Sequence, residues 1–221
     1  MSGNNIQLAN DFAEYYDHSV VKNNWNAPQI IFNAVNNLLS PNSSILDIGI
    51  GTGESSVLFQ KARHSVTGVD GSVKMLEKCK KKNIGQEHAL VNIEQEPLPF
   101  FKQTFNAAIS VGVFHLIYPL NQIFSETEKV LKHNGYFAFT FEETEKTGDY
   151  TEISPGAWEH KTNTGVYTYQ YSDIYITTLL QQNGFTEIDR IKFLAFQNTE
   201  LHKDFYFTAI LAQLTQNQFY L

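Results

Sequence analysis

Two hydrophobic patterns alternate along the middle of the chain. Short runs rich in apolar and β-branched residues are separated by stretches in which apolar residues recur at helical spacing. The runs predict strands, and the helical spacing is typical of helices with one buried face. The predicted order is strand 44–49, helix 54–63, strand 65–70, helix 72–82, strand 87–91, strand 105–111, helix 120–131 and strand 136–141. Because strands and helices alternate, we expect parallel strands joined by right-handed crossovers.

Other elements flank this alternation. Aromatic residues at helical spacing predict a helix over 10–22, and Pro28 is expected in the first turn of a second helix that runs to Leu39. After the alternation, the predicted elements are a helix over 173–182, a closing hairpin of strands 185–196 and 205–212, and a frayed tail over 215–221.

Residues 143–170 break the pattern. They are rich in Thr, Glu, Gly and aromatic residues, show no sustained period, and carry Pro155 and Gly156 near the centre. We expect an insertion that covers a pocket. The sequence thus predicts a single domain over 1–221, divided into an N-terminal helical cap (1–42), a core (43–142), the insertion (143–170) and a C-terminal helix and hairpin (171–213).

Composition and charge exclude several classes of protein. With 42% hydrophobic residues, the 221-residue chain can form one core without disulfides. The single cysteine, Cys79, excludes an intramolecular disulfide and a cysteine-based zinc site, so we expect no metal and a reducing compartment. A net charge of -7 disfavours nucleic-acid binding. The sequence has no signal-like start and no apolar run near the ~18 to 20 residues of a membrane span, which predicts a soluble cytoplasmic protein. Monomer and homodimer both stay open.

A glycine-rich turn and an acidic residue carry the strongest functional signal. The first predicted strand leads into Gly49, Gly51 and Gly53, which allow a tight turn and a close approach of backbone N–H groups to a ligand. The second predicted strand ends in Asp70, about twenty residues further on, the spacing of an acid that binds ribose hydroxyls. A carboxylate offers two acceptor oxygens to the two hydroxyls of a ribose. An N-cap role for Asp70 is an open alternative.

The segment Ile45-Leu46-Asp47-Ile48-Gly49-Ile50-Gly51-Thr52-Gly53, together with Asp70, resembles the class I S-adenosylmethionine-dependent methyltransferases and their LDxGxGxG loop. The similarity continues through Leu98-Pro99-Phe100, Phe105-Asn106 to Ser110, and the turn at Asn134-Gly135. It implies an α/β, Rossmann-like, doubly wound sheet of seven mostly parallel strands with an antiparallel last strand, N-terminal helices and an insertion after strand five. It also implies the small-molecule branch that includes ubiquinone- and menaquinone-biosynthesis methyltransferases, with S-adenosyl-L-methionine as cofactor and S-adenosyl-L-homocysteine as product.

The resemblance further implies which residues contact the cofactor. Asp47 would orient its amino end or hold the loop, while Gly71, Ser72 and Met75 would lie beside the ribose and adenine. Asn92 replaces an aspartate that relatives often use for the adenine amino group, and its amide oxygen can accept the same hydrogen bond. A core role for Met75 and a structural turn at Asn92 stay open. The full implied set is Tyr16, Trp25, Asp47, Gly49, Gly51, Gly53, Asp70, Gly71, Ser72, Met75, Asn92, Ile93, Ser110 and Val111.

Further residues are expected on the acceptor side of the site. His115 follows the fourth predicted strand and is a candidate general base for a hydroxyl or amine acceptor. A pocket-wall or hydrogen-bonding role is the favoured alternative for this residue. Aromatic residues of the first helices and the insertion are expected to form a lid that excludes water, although part of this set can be ordinary packing. The predicted substrate and lid residues are Tyr15, Trp158, His160, Tyr167 and Tyr169.

The sequence therefore predicts an enzyme that moves a methyl group from S-adenosylmethionine to oxygen or nitrogen of a small molecule. Such a transfer requires an aligned nucleophile more than acid–base machinery, because the sulfonium leaves as a neutral group. The segment 110–114 lacks the (D/N)PP(Y/F) motif of adenine and glutamine methyltransferases. Two rivals remain. One is an inactive binding or regulatory protein of the same fold; the other is an NAD oxidoreductase, which Glu54 disfavours because the dinucleotide fingerprint has a small residue there.

Overall fold

The computed structural model of the protein describes residues 3–144, 149–198 and 203–215. The chain begins with two helices, α1 (Gly3–Lys22) and α2 (Ala27–Asn36). The alternating region consists of β1 (Ser44–Ile48), α3 (Ser56–Lys61), β2 (Ser65–Asp70), α4 (Val73–Lys81), β3 (Glu87–Leu90), β4 (Phe105–Ser110), α5 (Asn121–Val130) and β5 (Leu131–Phe141). The later elements are β6 (Thr151–Ser154), β7 (Ala157–Lys161), β8 (Tyr167–Tyr171), α6 (Asp173–Gln182), β9 (Phe185–Asn198) and β10 (Lys203–Leu214).

Seven strands form one sheet in the order β3-β2-β1-β4-β5-β10-β9. The strands β1 to β5 are parallel, whereas β10 runs antiparallel to both of its neighbours. The predicted α/β fold with an antiparallel final strand is therefore confirmed. The strand order reverses between β1 and β4, and ligands of such sheets bind beyond the carboxyl ends of the strands at this point.

Both faces of the sheet are buried, which explains why β1 is apolar almost throughout. Ile45 packs in one core cluster with Ile31 of α2, while Leu46 packs in another with Phe124 of α5 and Phe137 of β5. Neighbouring side chains of a strand point to opposite faces, so each layer of helices receives alternate residues. The two layers hold the strands rigidly and fix the positions of the loops at their carboxyl ends.

Some boundaries differ from the sequence-based predictions. Helix α1 begins at Gly3 rather than near Asn10, and α3 is shorter than predicted. The predicted stop at Asn134-Gly135 lies inside β5. There the pairing with β4 shifts from Phe105–Leu131 to Ala107–Tyr136 across a bulge in which Asn134 has a φ of +60°. Asn134 and Gly135 thus form a bulge that changes the direction of β5, instead of a turn between a helix and a strand.

The insertion is more regular than its sequence indicated. Strands β6, β7 and β8 form a separate antiparallel sheet, which packs against the main domain where the Tyr171 hydroxyl donates a hydrogen bond to the backbone oxygen of Ile117. Strands therefore occupy 151–154, 157–161 and 167–171, although the sequence of the insertion showed no sustained period. Residues 145–148 of the insertion, and 216–221 of the tail expected to fray, lie outside the described residues.

Candidate active site at the rim of the sheet

The three positions of the loop after β1 require glycine for different structural reasons. All have positive φ, at +78°, +55° and +95° for Gly49, Gly51 and Gly53. A Cβ on Gly49 would lie 2.5 Å from a methyl group of Val113, and one on Gly53 would lie 2.7 Å from a methyl group of Ile84. A Cβ on Gly51 would meet no atom within 4 Å. Packing thus requires two of the glycines, while the third presents bare backbone to open space, as close approach of a ligand requires.

Asp70 connects this loop to the loop after β2. Its Oδ2 accepts a hydrogen bond from the Gly51 N–H at 2.9 Å, and its Oδ1 accepts one from the Ser72 N–H at 2.7 Å. The side chain is 5% exposed, and burial raises its pKa, while these backbone donors act in the opposite direction. Each oxygen retains a second acceptor site for a hydroxyl group. The N-cap alternative is wrong, because Ser72 caps α4 by accepting a hydrogen bond from the Met75 N–H.

Asp47 holds the loop from below. Its Oδ2 accepts a hydrogen bond from the Ser56 hydroxyl at 2.7 Å, at the first residue of α3. Burial is the main cause that raises the pKa of Asp47 to about 7, and the charge of Asp70 adds to it. The hydrogen bond from Ser56 lowers the pKa but does not offset this rise. Of its two predicted roles, the structure favours holding the loop.

Helix α1 lies directly over the loop after β2. The Ser72 hydroxyl donates to Oδ1 of Asn10 at 2.8 Å, and the Lys74 N–H donates to the same atom at 3.1 Å. A side-chain methyl of Ile6 lies 3.0 Å from the position that a Cβ on Gly71 would take. Gly71 and Ser72 therefore lie beneath α1, while their contacts with the ribose and adenine stay a prediction.

Asn92 and Ile93 follow β3 at the same end of the sheet. The Asn92 side-chain oxygen accepts a hydrogen bond from the Glu94 N–H at 3.3 Å, and the Asn92 N–H donates to Glu96 at 2.7 Å. Ile93 is buried in the core. The structural turn, which was the alternative role for Asn92, is thus present.

The rim residues after β4 are held by the sheet itself. The Ser110 hydroxyl donates to the Ile48 backbone oxygen at 2.9 Å, and Val111 is buried. The Gly112 N–H donates to the Thr140 hydroxyl at 2.8 Å, and a Cβ on Gly112 would lie 3.0 Å from the indole of Trp25. Ser110 thus links strands, and Gly112 brings Trp25 onto the rim.

A cavity of about 360 Å³, here called the rim cavity, lies between α1 and the loop after β4. It brings together four residues predicted from sequence, namely Tyr16, Trp25, Met75 and His115. The other described lining residues are Asn5, Leu8, Ala9, Phe12, Ser19, Val20, Asn23, Gly112, Leu116, Val166, Phe196 and Phe207. Phe196 and Phe207 were not predicted as lining residues, because they come from the C-terminal hairpin, far along the chain.

Two polar side chains of the rim cavity have shifted pKa values. Burial lowers the pKa of His115 to about 4, so its imidazole is neutral at pH 7. Its Nδ1 is buried without a hydrogen-bond partner, and its ring meets the edge of Phe207 with centroids 5.1 Å apart. Burial, then the charges of Glu54 and Asp70, raises the pKa of Tyr16, which keeps its phenol protonated. The cavity thus holds a neutral base and a neutral donor.

The predicted lid residues do not lie together. Tyr15 is 68% exposed, and Trp158 lines a different cavity. Tyr169 stacks on Tyr118, and the amino group of Lys161 lies over the Tyr167 ring. His160 bonds the Asp149 backbone oxygen. None of these five predicted side chains is among the described lining of the rim cavity. The aromatic lid stays a prediction, and the structure does not gather this set around one cavity.

The second cavity, here called the insertion cavity, measures about 820 Å³ and lies between the small sheet and α6. Its described lining comes mainly from residues 150–182, with Trp158 and Tyr150 among the aromatic side chains. It is the larger of the two cavities, yet none of its described lining residues belongs to the loops after β1, β2 or β4. Its position therefore separates it from the glycine loop.

Polar side chains of α1 that the sequence-based analysis did not select hold this helix in place. The Asn5 amide donates to the backbone oxygens of Leu116 and Tyr167, at 3.0 and 2.9 Å. Asp17 accepts a hydrogen bond from the Thr52 hydroxyl at 2.6 Å and pairs with Lys82 at 2.8 Å. Lys82 also pairs with Glu54 at 2.8 Å. Their partners are distant in sequence, so no local pattern identifies them.

Metal-binding clusters and membrane-spanning helices were considered for the described residues only. No set of three His, Cys, Asp or Glu side chains there is arranged to hold a metal ion. Among the described helices, none combines the length and apolar character needed to cross a bilayer.

Comparisons with known proteins agree with this geometry. The family described as "Methyltransferase domain" matches residues 46–139. YodH of Bacillus subtilis, an uncharacterized methyltransferase, is 36% identical over 98 residues, which make up 43% of this chain and 42% of YodH. The malonyl-[acyl-carrier protein] O-methyltransferase of Legionella pneumophila is 33% identical over 101 residues, 43% of this chain and 35% of that enzyme. The chain thus matches less than half the length of these curated relatives.

A solved structure extends the likeness to nearly the whole fold. The 1,6-didemethyltoxoflavin-N1-methyltransferase of Burkholderia thailandensis, solved with 1,6-didemethyltoxoflavin and S-adenosylhomocysteine, has a TM-score of 0.69 at 16% identity. The match covers 95% of this chain and 88% of that one. The family match runs from β1 to β5 and contains both the glycine loop and Asp70. The resemblance seen in the sequence is thereby confirmed for residues 46–139, which match the methyltransferase domain family.

Proposed function

We propose that this protein transfers a methyl group from S-adenosylmethionine to an oxygen or nitrogen of a small-molecule acceptor. The observation that carries the proposal is a continuous path from the glycine loop to the rim cavity. The backbone N–H groups of Gly51 and Ser72 both donate to Asp70. The Ser72 hydroxyl in turn accepts from the N–H of Met75, in the first turn of α4, and Met75 lines the cavity. A cofactor bound along this path would extend towards the acceptor.

The residues along the path fit this cofactor. The open space above Gly51 admits a ligand against bare backbone, and the second acceptor sites of Asp70 suit a ribose diol. When bound, S-adenosylmethionine supplies an electrophilic methyl group.

The size of the rim cavity and the helix that covers it support a small-molecule acceptor. A volume of about 360 Å³ lies near the lower end of the range for small-molecule sites. Helix α1 forms one wall through Leu8, Phe12 and Tyr16, which restricts access by a macromolecule. The same cover excludes water and holds an acceptor against the rim, which is what methyl transfer requires most.

A reducing cytoplasmic location is part of the proposal. Cys79 is the single cysteine of the chain and is fully buried. Burial raises the pKa of its thiol to about 12, so it stays protonated and unreactive. We assign it to packing beneath Gly53, where its sulfur would lie 3.0 Å from an added Cβ.

The experiment that tests the proposal uses S-adenosylmethionine with a labelled methyl group. The purified chain is incubated separately with small-molecule, protein and RNA fractions of a cell extract. We expect label to appear in the small-molecule fraction, and to be absent with the Gly51→Ala variant. Transfer mainly to protein or RNA would contradict the proposal.

Binding measurements on the same protein separate the rival functions. Cofactor binding without transfer to any fraction would identify a binding or regulatory protein of this fold. Binding of NAD in place of S-adenosylmethionine would identify an oxidoreductase. Either result would overturn the proposed activity while leaving the fold unchanged.

A further inference from the structure

The part of the rim-cavity lining that the structure describes is uncharged. No Asp, Glu, Lys or Arg is found among the described residues that line this cavity. A carboxylate or an ammonium group taken into such a cavity would lose its hydration without gaining a partner of opposite charge, which is strongly unfavourable. The lining therefore selects against charged acceptors, including carboxylates such as a malonyl group and protonated amines.

Aromatic rings form part of the cavity wall. Trp25 and Phe207 meet edge to face with centroids 5.4 Å apart, and the Phe196 ring centroid lies 6.4 Å from that of Trp25. Phe12, on α1, also lines the cavity. Aromatic walls favour a flat aromatic guest, which can stack or meet their edges over a large area.

His115 supplies an acceptor for a hydrogen-bond donor in this apolar surrounding. No described residue makes a hydrogen bond with its imidazole. Its Nδ1 is closed off from solvent, so Nε2 is the ring nitrogen that a ligand in the cavity can reach. A donor placed against this nitrogen would gain a hydrogen bond in an apolar surrounding. Because burial lowers the pKa of His115 to about 4, the ring is neutral at pH 7 and can accept.

We infer that the acceptor is an uncharged, flat aromatic or heteroaromatic molecule, that its phenolic O–H or ring N–H faces His115, and that this oxygen or nitrogen is methylated. The inference rests on the proposed function. In the step, the O–H or N–H bond breaks and its proton passes to the imidazole. The electron pair left on oxygen or nitrogen forms the new bond to the methyl carbon, while the methyl–sulfur bond breaks and its electron pair remains on the neutral thioether.

The weakness of the base narrows the acceptor further. A group with a pKa of about 4 removes a proton efficiently only from an acceptor that is itself acidic. Phenols and ring N–H groups with electron-withdrawing substituents meet this condition, whereas aliphatic alcohols do not. Rates should therefore rise as the acceptor becomes more acidic.

A panel of matched acceptors tests the inference after titration has shown that the protein binds S-adenosylmethionine. The panel contains 4-nitrophenol, 4-nitroimidazole, 4-methylphenol, benzyl alcohol, 4-nitrobenzoate and benzylamine. We expect the two nitro compounds with an acidic O–H or N–H to be methylated about tenfold or more faster than 4-methylphenol, and the last three to be unreactive. Preference for the benzoate or the amine would overturn the inference, as would the absence of transfer to every phenol and ring N–H compound.

Variants distinguish the two possible roles of His115, as general base and as part of the cavity wall. His115→Ala should slow methylation of 4-methylphenol by about 100-fold or more, and that of 4-nitrophenol much less. S-adenosylhomocysteine binding should be retained. The control is His133→Ala, at an exposed histidine of β5, which should change neither rate. An equal loss for both phenols with His115→Ala would assign His115 to the wall and overturn its role as base. Failure to bind S-adenosylmethionine would instead contradict the proposed function.

Discussion

The two sides of the candidate site are held in different ways. The rim, which comprises the loops after β1, β2 and β4, is held mainly by backbone groups, as when Gly51 and Ser72 both donate to Asp70. The cover, helix α1, is held by side chains that reach distant parts of the chain, chiefly Asn5 and Asp17. Substituting a side chain leaves the backbone hydrogen bonds of a rim loop in place. Each side chain that holds the cover can instead be removed separately. Mutations on the two sides should therefore have effects of different size and kind.

The largest effect is expected from an added methyl group in the glycine loop. Gly53→Ala combines a φ of +95° with a contact of 2.7 Å to Ile84, and should destabilise the protein by roughly 2 to 5 kcal/mol. Gly51→Ala meets no neighbour and should cost only about 1 to 2 kcal/mol for its backbone conformation, yet abolish cofactor binding. Urea unfolding and calorimetric titration measure the two properties. Equal destabilisation by both variants would show that Gly51 is also required for packing.

Asp70→Asn should come next. The amide can still accept the hydrogen bond from Ser72 but loses the charge, so affinity for S-adenosylhomocysteine should fall by about 1.5 to 3 kcal/mol, roughly 10- to 150-fold. Calorimetry measures the change, and circular dichroism checks that the variant folds. Unchanged affinity would remove Asp70 from the cofactor site.

For the cover, Asn5→Ala should have the largest effect. The residue is 3% exposed and hydrogen-bonded to Leu116 and Tyr167, so its loss leaves buried backbone groups unpaired and should cost about 1 to 3 kcal/mol. Hydrogen exchange should accelerate in α1 and not in β1. Gln7→Ala, on the exposed side of the same helix, is the control and should change little. Faster exchange across β1 as well would show that cover and rim unfold as one unit.

The histidine on the rim should make stability depend on pH. Burial lowers the pKa of His115 from 6.5 to about 4, so between these values the unfolded chain binds a proton that the folded chain does not. The free energy of unfolding should therefore fall as pH drops through this window, with a contribution from His115 on the order of 2 kcal/mol. His115→Phe should remove that contribution. Urea unfolding at pH 7 and pH 4.5 tests this, and an identical loss in both proteins would contradict the assigned shift.

The smallest effect is expected at the ion pair that links the cover to the glycine loop. Lys82 pairs with Asp17 and Glu54 at a partly exposed position, so Lys82→Ala should cost at most about 1 kcal/mol, and less at high salt. Unfolding at low and high salt measures the difference. A cost well above this value, insensitive to salt, would mean that the lysine holds the cover by more than charge.

The sequence predicted the rim well because its determinants are local. The glycines, Asp70 and the alternation of strands and helices lie within short segments whose geometry follows from backbone conformation. The insertion was harder. Tyr167, Tyr169 and Tyr171 alternate with polar residues, a strand signal that was available, but the chain around Pro155 and Gly156 obscured it.

The cover and the cavities could not be predicted from local patterns. The partners of Asn5 lie more than a hundred residues away, and Phe207 reaches His115 only because β10 pairs with β5. Composition does not show which cavity an aromatic residue lines. The lid set therefore included Trp158, although it lines the insertion cavity and not the rim cavity. Such contacts follow from tertiary packing, which single-sequence patterns do not contain.

The most direct test of the central claim is a calorimetric titration of S-adenosylhomocysteine into the natural chain and into Gly51→Ala, with NAD as the control ligand. The rim as described here predicts binding of one S-adenosylhomocysteine per natural chain, no binding by folded Gly51→Ala, and no binding of NAD. A folded natural chain that binds none of the ligand, or a Gly51→Ala variant that binds it as tightly, would contradict the assignment of the rim as the cofactor site.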